Sequence, residues 1–220
     1  FTDWSASSYA KGVSFSFPPG KLIHIDLDPR EIGKTYPTEV GIVADARIAL
    51  QHLLAAIPEA EGARLREANA AFRADVQRAK AEWRAMVEPR ETSRETPFTS
   101  QRPLVALRKV LPRDGIVVVG SGNTQGAVKQ SFPVYQPRTH LTSGSYSPMG
   151  WAVPAAMGAK LACPDQKVVA IVGDGDFMMS LPEMGTAVMN GINVLFLVLN
   201  NQGYMSIRGG QRKFMGRHIA

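Results

Sequence analysis

Two short apolar runs constrain the fold of this 220-residue chain more than any other feature. Residues 167–172 (KVVAIV) and 192–199 (INVLFLVL) are nearly continuous and rich in β-branched residues, which is typical of strands buried on both faces of a parallel sheet. The residues between them, 181–190 (LPEMGTAVMN), have an early proline, an acid in the first turn and apolar residues at helical spacing. The pattern predicts a strand, a helix and a strand, and therefore an α/β fold.

Each apolar run is followed by residues that could bind a ligand. Gly173-Asp174-Gly175 follows the first run and Asn200-Asn201 the second, with 24 residues between the two motifs. In open α/β sheets, ligands bind in the crevice beyond the carboxyl ends of the strands. A carboxylate and an amide oxygen suit Mg²⁺, which usually leaves other coordination positions to water or to phosphate oxygens. The spaced pair predicts a site for a metal and a diphosphate.

Two segments earlier in the chain also contain residues that could bind a ligand, each just before a predicted helix. Residues 116–123 (IVVVGSGN) read as a buried strand that runs into a glycine turn, and residues 124–130 can open a helix. Backbone N–H groups at such a turn form an anion site. Residues 143–154 (SGSYSPMGWAVP) read as a loop that enters a second helix.

The GDG and NN runs at this spacing resemble the thiamine diphosphate-binding motif of thiamine-dependent enzymes, within the acetolactate synthase-like group. The resemblance implies that Asp174, the side chain of Asn201 and the backbone carbonyl of Gly203 ligate Mg²⁺. It also implies that Met149 props the cofactor into its bent form. The cofactor-binding residues that it implies are Ser121, Gly122, Asn123, Ser147, Met149, Gly173, Asp174, Gly175, Asp176, Asn201, Gly203, Tyr204 and Met205.

The resemblance also implies a domain organisation. Residues 1–58 would be the C-terminal part of a central α/β domain, which binds FAD in several relatives, and Asp26 and Asp28 match acids near the adenosine there. Residues 59–98 would be a charged linker, with one amphipathic helix over 64–90. Residues 99–220 would be the thiamine diphosphate-binding domain, a three-layer Rossmann-like parallel-sheet fold truncated at its C-terminus.

The implied enzyme decarboxylates or joins 2-oxo acids through a thiazolium carbanion and an enamine. The glutamate of its proton relay matches no segment here, so the catalytic residues stay unknown and the fragment alone is expected to be inactive. Relatives form dimers or tetramers with active sites between subunits. Residues 202–211 depart from the usual acetolactate synthase sequence, so two alternatives stay open: a thiamine diphosphate-dependent C–C hydrolase of a cyclic diketone, and a non-catalytic nucleotide-binding Rossmann-like module.

Composition narrows the partners. The net charge is +6, but acids interleave with the basic residues, which argues against nucleic acid and membrane as partners. The segment 208–217 is the exception: it holds four basic residues and no acid, and by resemblance it would lie near the pocket of an anionic substrate. No apolar run is long enough to span a membrane, and the first nine residues lack the layout of a signal peptide. The single cysteine, Cys163, excludes an internal disulfide, and we expect a cytoplasmic protein.

Overall fold

The computed structural model describes residues 20–144 and 146–218 of the chain. The expectations that concern residues 1–19, including the absence of a signal peptide, lie outside these residues, as do the last two positions. The chain divides into two compact units between Lys80 and Ala81, inside a long helix. The domain limits expected at residues 58 and 98 stay predictions.

The first unit contains a short parallel sheet and helices. Strands β1 (Ile23–Asp26) and β2 (Val40–Val43) pair in parallel. Helix α1 (Ala46–Ala56) is capped by Asp45, whose carboxylate accepts hydrogen bonds from the backbone N–H groups of Arg47 and Ile48. The strand expected over residues 21–27 and the following α/β pattern are thus confirmed.

The prediction of one helix over residues 64–90 is wrong. The segment forms two helices, α2 (Glu59–Ala68) and α3 (Ala70–Thr92), which are separated at Asn69. The Asn69 side chain donates a hydrogen bond to the carbonyl of Leu65 at 2.8 Å, and a local bond of this kind competes with a continuing helix.

The second unit is built around a parallel sheet with the strand order β4-β3-β5-β6. Its elements in chain order are α4 (Gln101–Val110), β3 (Ile116–Val119), α5 (Asn123–Ser131), β4 (His140–Leu141), α6 (Ala152–Ala162), β5 (Val168–Gly173), α7 (Asp174–Met179), α8 (Glu183–Met189), β6 (Leu195–Leu199) and α9 (Met205–Met215). The strands, turns and helices expected from residue 116 onward are present, except that two short helices, α7 and α8, lie between β5 and β6.

The core of this unit has a layer on each face of the sheet. Val117 and Val119 of β3 pack with residues of α4 and α5, whereas Ile116 and Val118 pack with α6. This alternation follows from the period of two along a strand. Helices therefore cover both faces, and the three-layer α/β architecture is confirmed.

One expectation about the sheet is wrong. Strands β3 and β5 are buried along nearly their whole length, but β6 is only partly buried, and Leu195 is 55% exposed. Among the described strands β6 is outermost, so only one of its edges is paired. The apolar run at 192–199 correctly indicated a strand, but its partial exposure among the described residues was not expected.

Candidate metal and diphosphate site

The register of the sheet brings the two spaced motifs side by side. Gly173, the last residue of β5, lies opposite Leu199, the last residue of β6. The chain therefore leaves both strands at the same level, with Asp174 following one strand and Asn200-Asn201 following the other. Neighbouring strands are only about 5 Å apart. In the sequence, residues that could bind a metal follow these two strands. The parallel register of the strands places these residues next to each other.

The turn after β3 lies against the first of these motifs. Gly120 donates its backbone N–H to the carbonyl of Ile171 in β5 at 2.9 Å. Gly122 directly precedes α5. Its φ is 87°, a value that glycine adopts far more readily than other residues. A Cβ built on Gly173 would lie 3.6 Å from the hydroxyl of Thr124 in α5. The first turn of α5 thus contacts the end of β5.

The loop before α6 is tied to the same turn. The hydroxyl of Ser121 donates to the carbonyl of Ser147 at 2.6 Å, and it lies 3.0 Å from the hydroxyl of Ser147. Ser147 has φ of 43°, in the left-handed region that is uncommon for a residue with a side chain. Met149, two residues later, is half-buried. The two upstream segments that the sequence singled out therefore meet in the structure.

Asp176 lies beneath these loops with only 2% of its surface exposed. Its carboxylate accepts a hydrogen bond from the backbone N–H of Ser121 at 2.9 Å and a short one from the backbone N–H of Gly150. Burial raises the pKa of the Asp176 carboxyl, and the two N–H donors oppose this change because they stabilise the charged form. The side chain thus faces the protein interior and is hydrogen-bonded to both loops.

The loop between β6 and α9 completes the site. The side-chain oxygen of Asn200 accepts a hydrogen bond from the backbone N–H of Gln202 at 2.9 Å, and Gln202 has φ of 64°. A Cβ on Gly175 would lie 2.4 Å from the ring of Tyr204. A Cβ on Gly122 would lie 3.6 Å from the hydroxyl of Ser206. This loop therefore packs against the turns that follow both β3 and β5.

The expected metal ligands form a set of hard oxygen donors at this edge. Asp174 is half-buried at the start of α7, and Asn201 is exposed. The carbonyl of Gly203 accepts one hydrogen bond, from the N–H of Met205 at 2.9 Å, and a carbonyl oxygen has a second lone pair. One carboxylate, one amide and one carbonyl fit the preference of Mg²⁺ for few protein ligands. No cluster of three or more His, Cys, Asp or Glu residues suited to a metal occurs in residues 20–144 and 146–218.

The structure brings several of the expected residues together. Ser121 bonds to Ser147 and Asp176, and Gly175 lies against Tyr204. Gly122 and Gly173 lie against Ser206 and Thr124. Asn123, Met149 and Met205 lie in the same three segments, and their contact with a cofactor stays a prediction. The sequence reasoning missed Gly120, Thr124, Gly150, Ser180 and Ser206. Gly120 carried a signal, because a glycine that directly ends a buried strand often marks close contact with another group.

Most of the basic segment 208–217 lies in α9, and Arg217 follows the end of the helix. Arg208, Arg212 and Lys213 lie on the helix, where Arg208 is half-buried and the other two are exposed. Their place near a substrate pocket stays a prediction. Among the described residues, no helix is long and apolar enough to cross a membrane.

Comparison with known proteins agrees with this geometry. Residues 120–220 match the family model "Thiamine pyrophosphate enzyme, C-terminal TPP binding domain", and residues 1–53 match "Thiamine pyrophosphate enzyme, central domain". Thiamine pyrophosphate is the same compound as thiamine diphosphate. The first match contains every segment of the site described above.

Several curated relatives cover most of the chain. It is 36% identical over 205 residues to the acetolactate synthase large subunit of Corynebacterium glutamicum, a match that covers 90% of this chain and 31% of the relative. It is 33% identical to the acetolactate synthase isozyme 1 large subunit of Escherichia coli K12 (90% of this chain, 33% of the relative). It is also 33% identical to the glyoxylate carboligase of Escherichia coli O157:H7 (88% and 32%). The chain spans about a third of the length of these relatives. It belongs to the acetolactate synthase-like group of thiamine pyrophosphate enzymes.

Proposed function

We propose that this chain holds the diphosphate of thiamine diphosphate through Mg²⁺ at the carboxyl edge of its four-stranded sheet. The observation that carries the proposal is the register pair Gly173 and Leu199, which sets Asp174 beside Asn200-Asn201. The family match over residues 120–220 supports the identity of the cofactor. Asp174, the side chain of Asn201 and the carbonyl of Gly203 would be the protein ligands of the metal.

The turn after β3 would bind the phosphate oxygens. Its backbone N–H groups precede α5, whose N-terminus is electropositive. Gly122 and Asn123 would supply these groups, and Ser121 would border the phosphates while its own N–H is bound to Asp176. The positive φ of Gly122 allows the backbone to approach a ligand closely. The loop at 147–149 would contact the pyrimidine ring through the backbone of Ser147 and Met149. Gly175, Tyr204 and Met205 would close the site beside the metal.

The chemistry would come from the cofactor. Bound thiamine diphosphate supplies a carbon nucleophile that attacks a carbonyl group and accepts the electron pair released on decarboxylation. The residues of this chain would hold the diphosphate and the metal, fix the orientation of the cofactor and exclude water from it. A proton-relay residue would have to come from outside these 220 residues.

The proposed activity of the whole protein is decarboxylation and carboligation of 2-oxo acids. The names of the relatives, acetolactate synthase and glyoxylate carboligase, support this class. We propose a homodimer or homotetramer with active sites between subunits. Apolar side chains that are exposed in the second unit support assembly, among them Val188 (82%), Met189 (87%) and Phe214 (80%). The single cysteine fits the proposed cytoplasmic location.

FAD is the proposed second cofactor, bound by the domain that contains residues 1–58. The acids Asp26 and Asp28 follow the pattern of the resemblance. The Asp28 carboxylate pairs with Arg30 at 2.7 Å, and this hydrogen-bonded pairing lowers the pKa of the Asp28 carboxyl. Asp26 accepts a hydrogen bond from the backbone N–H of Asp28 at 2.8 Å, and we propose that it also meets a ribose hydroxyl. Purified protein should show flavin absorbance, and a colourless protein that takes up no added FAD would contradict this element.

The metal site is tested by the substitution Asp174→Ala in the full-length protein. Thiamine diphosphate binding is measured by calorimetry with Mg²⁺ and again with a chelator. We expect the wild type to bind only with Mg²⁺, and Asp174→Ala to lose this Mg²⁺-dependent binding while far-UV circular dichroism is unchanged. The control is Asp165→Ala, the same change at an exposed acid of the turn after α6. Unaltered binding in Asp174→Ala would show that the ligand assignment is wrong.

The reaction class is tested by product analysis of the Mg²⁺-loaded protein. Pyruvate and glyoxylate are supplied separately, and a cyclic 1,2-diketone is supplied in a third reaction. A ligated product from either 2-oxo acid supports the proposal. Ring opening of the diketone without reaction of the 2-oxo acids would replace it with the hydrolase alternative.

A further inference from the structure

Asp176 joins two loops that are far from it in the sequence. It accepts from the N–H of Ser121, 55 residues earlier, and from the N–H of Gly150, 26 residues earlier. The first donor lies in the turn that would bind the phosphates. The second lies directly after the loop that would contact the pyrimidine. A single carboxylate thus connects two parts of the proposed cofactor site from below.

The surroundings of Asp176 leave little room for another arrangement. A Cβ on Gly120 would lie 1.8 Å from Oδ2 of Asp176, so the turn can approach the carboxylate only because residue 120 is glycine. Gly150 has φ of 82°, and its carbonyl accepts a hydrogen bond from the hydroxyl of Ser180. Gly150 is therefore held through its N–H by Asp176 in the first turn of α7 and through its carbonyl by Ser180, which directly follows the helix.

Burying a carboxylate costs free energy unless its oxygens are hydrogen-bonded. The hydrogen bonds to Asp176 come from the backbone of a turn and of a loop. A neutral side chain of similar size would fill the same space at lower cost in desolvation. An acid at this position is therefore best explained by the two N–H groups that it holds, since charge-assisted hydrogen bonds are about twice as strong as neutral ones.

We infer that Asp176 is a positioning residue, which fixes the Ser121 turn and the Gly150 loop so that their backbone groups face the diphosphate and the pyrimidine ring. This inference rests on the proposed function for its cofactor. The side chain of Asp176 is directed at the two loops, where both of its carboxylate oxygens accept backbone N–H groups. It acts through the loops, whereas Asp174, two residues earlier, would act directly on the metal.

The test uses Asp176→Asn, which keeps the size of the side chain but places an amide N–H₂ against one of the two backbone donors. The matched control is Asp165→Asn, the same chemical change at an exposed acid. Two quantities are measured on the protein as its gene encodes it: amide hydrogen exchange of peptides that cover residues 117–124, 146–153 and 168–173, and the dissociation constant of thiamine diphosphate with Mg²⁺.

We expect Asp176→Asn to speed exchange in the two loop peptides by about tenfold or more and to weaken cofactor binding by a similar factor. The β5 peptide, residues 168–173, should keep its protection. Unchanged exchange in both loop peptides would overturn the inference. Equal loss of protection in β5 would also overturn it, because Asp176 would then support the core as a whole.

A second variant covers the case in which Asp176→Asn does not fold. Asp176→Ser is smaller and has a hydroxyl oxygen that can accept from one of the two N–H groups, so faster exchange is expected in at least one loop peptide. If the wild type binds no thiamine diphosphate, the proposed function fails and the exchange result alone decides whether Asp176 fixes the loops. If the wild type binds the cofactor and both variants bind it equally well, the positioning role fails and the proposed function stands.

Discussion

Gly120→Ala should be among the most damaging single-methyl changes in this chain. The added Cβ would lie 1.8 Å from Oδ2 of Asp176, whereas real Cβ contacts essentially never fall below 3.0 Å. The two atoms must therefore separate by about 1.2 Å or more. Both neighbours are constrained, because Asp176 is 2% exposed and Gly120 donates its N–H to Ile171 within the sheet. The clash can be relieved only by a shift of the turn or of the carboxylate.

The expected loss of stability combines two contributions. Overpacking of a well-packed site costs about 1–3 kcal/mol. A shift of the turn also breaks the hydrogen bond between Ser121 and Asp176, and a buried group left without its partner costs about 1–3 kcal/mol. Together we expect a decrease of roughly 2–6 kcal/mol in the free energy of unfolding of this unit. Gly120 does not have a positive φ, so backbone strain does not add to the effect. The contact with Asp176 dominates, because the next residue in reach, Val172, would have its Cγ1 3.3 Å from the added Cβ.

The measurement is the urea midpoint of the second unit, followed by exchange of peptides from β3 and β5. Gly126→Ala is the matched control, because Gly126 lies inside α5 and a Cβ there would meet no atom within 4 Å. Alanine in a helix interior is favoured over glycine by about 0.5–1 kcal/mol, so the control should be neutral or slightly stabilised. If Gly120→Ala differs from the wild type by less than about 0.5 kcal/mol, Asp176 does not lie against Gly120 and the described site is wrong.

Two further predictions concern ionisable groups of the second unit. Glu91→Gln should lower the free energy of unfolding by about 1–2 kcal/mol, because Glu91 is buried and forms an ion pair with Arg84. The expected loss is modest, since Arg84 is exposed and solvent screens the pair. Glu88→Gln on the exposed surface is the control, and equal urea midpoints for the two variants would contradict the pairing. Burial, assisted by Lys129, lowers the pKa of His140 from its ordinary 6.5, so the folded state resists protonation. Stability from this residue is present above pH 6.5 and decreases as the pH falls below it. His140→Gln should flatten that part of the curve of unfolding free energy against pH, and an unchanged curve would contradict the assignment.

The sequence predicted the elements of the fold well where one physical signal dominated. The run KVVAIV and the run IVVVGSGN are apolar on every residue of the strand, and both proved to be buried strands. The helix after Pro182 begins where proline and an early acid predict it. The apolar run at 192–199 has the same composition, yet β6 is only partly buried among the described residues. The burial of a strand depends on the elements that lie beside it, which composition does not give. The break at Asn69 was missed for a similar reason: charge and apolar spacing continue through it, and only a local hydrogen bond of the side chain ends the helix.

The site illustrates the same difference between local and long-range information. The spacing of Asp174 and Asn201 gave the correct strand ends, yet their adjacency depends on the pairing of Gly173 with Leu199, which no single segment encodes. Asp176 was expected among the cofactor-binding residues because it follows GDG in the sequence. Its side chain accepts hydrogen bonds from the N–H groups of Ser121 and Gly150, a long-range contact that the sequence did not indicate. Its contact with a cofactor stays a prediction.

The contrast between Asp174 and Asp176 has a physical origin in helix geometry. Both lie in the first turn of α7, two residues apart, so their side chains point in directions that differ by about 200° around the helix axis. One carboxylate can therefore face the crevice beyond the strands while the other is buried beneath the neighbouring loops. The proposed metal ligand and the proposed loop-positioning residue can thus lie on one short helix without interfering with each other. Exchanging the two roles would require rotating α7 about its axis, which the contact between Gly175 and the ring of Tyr204 opposes.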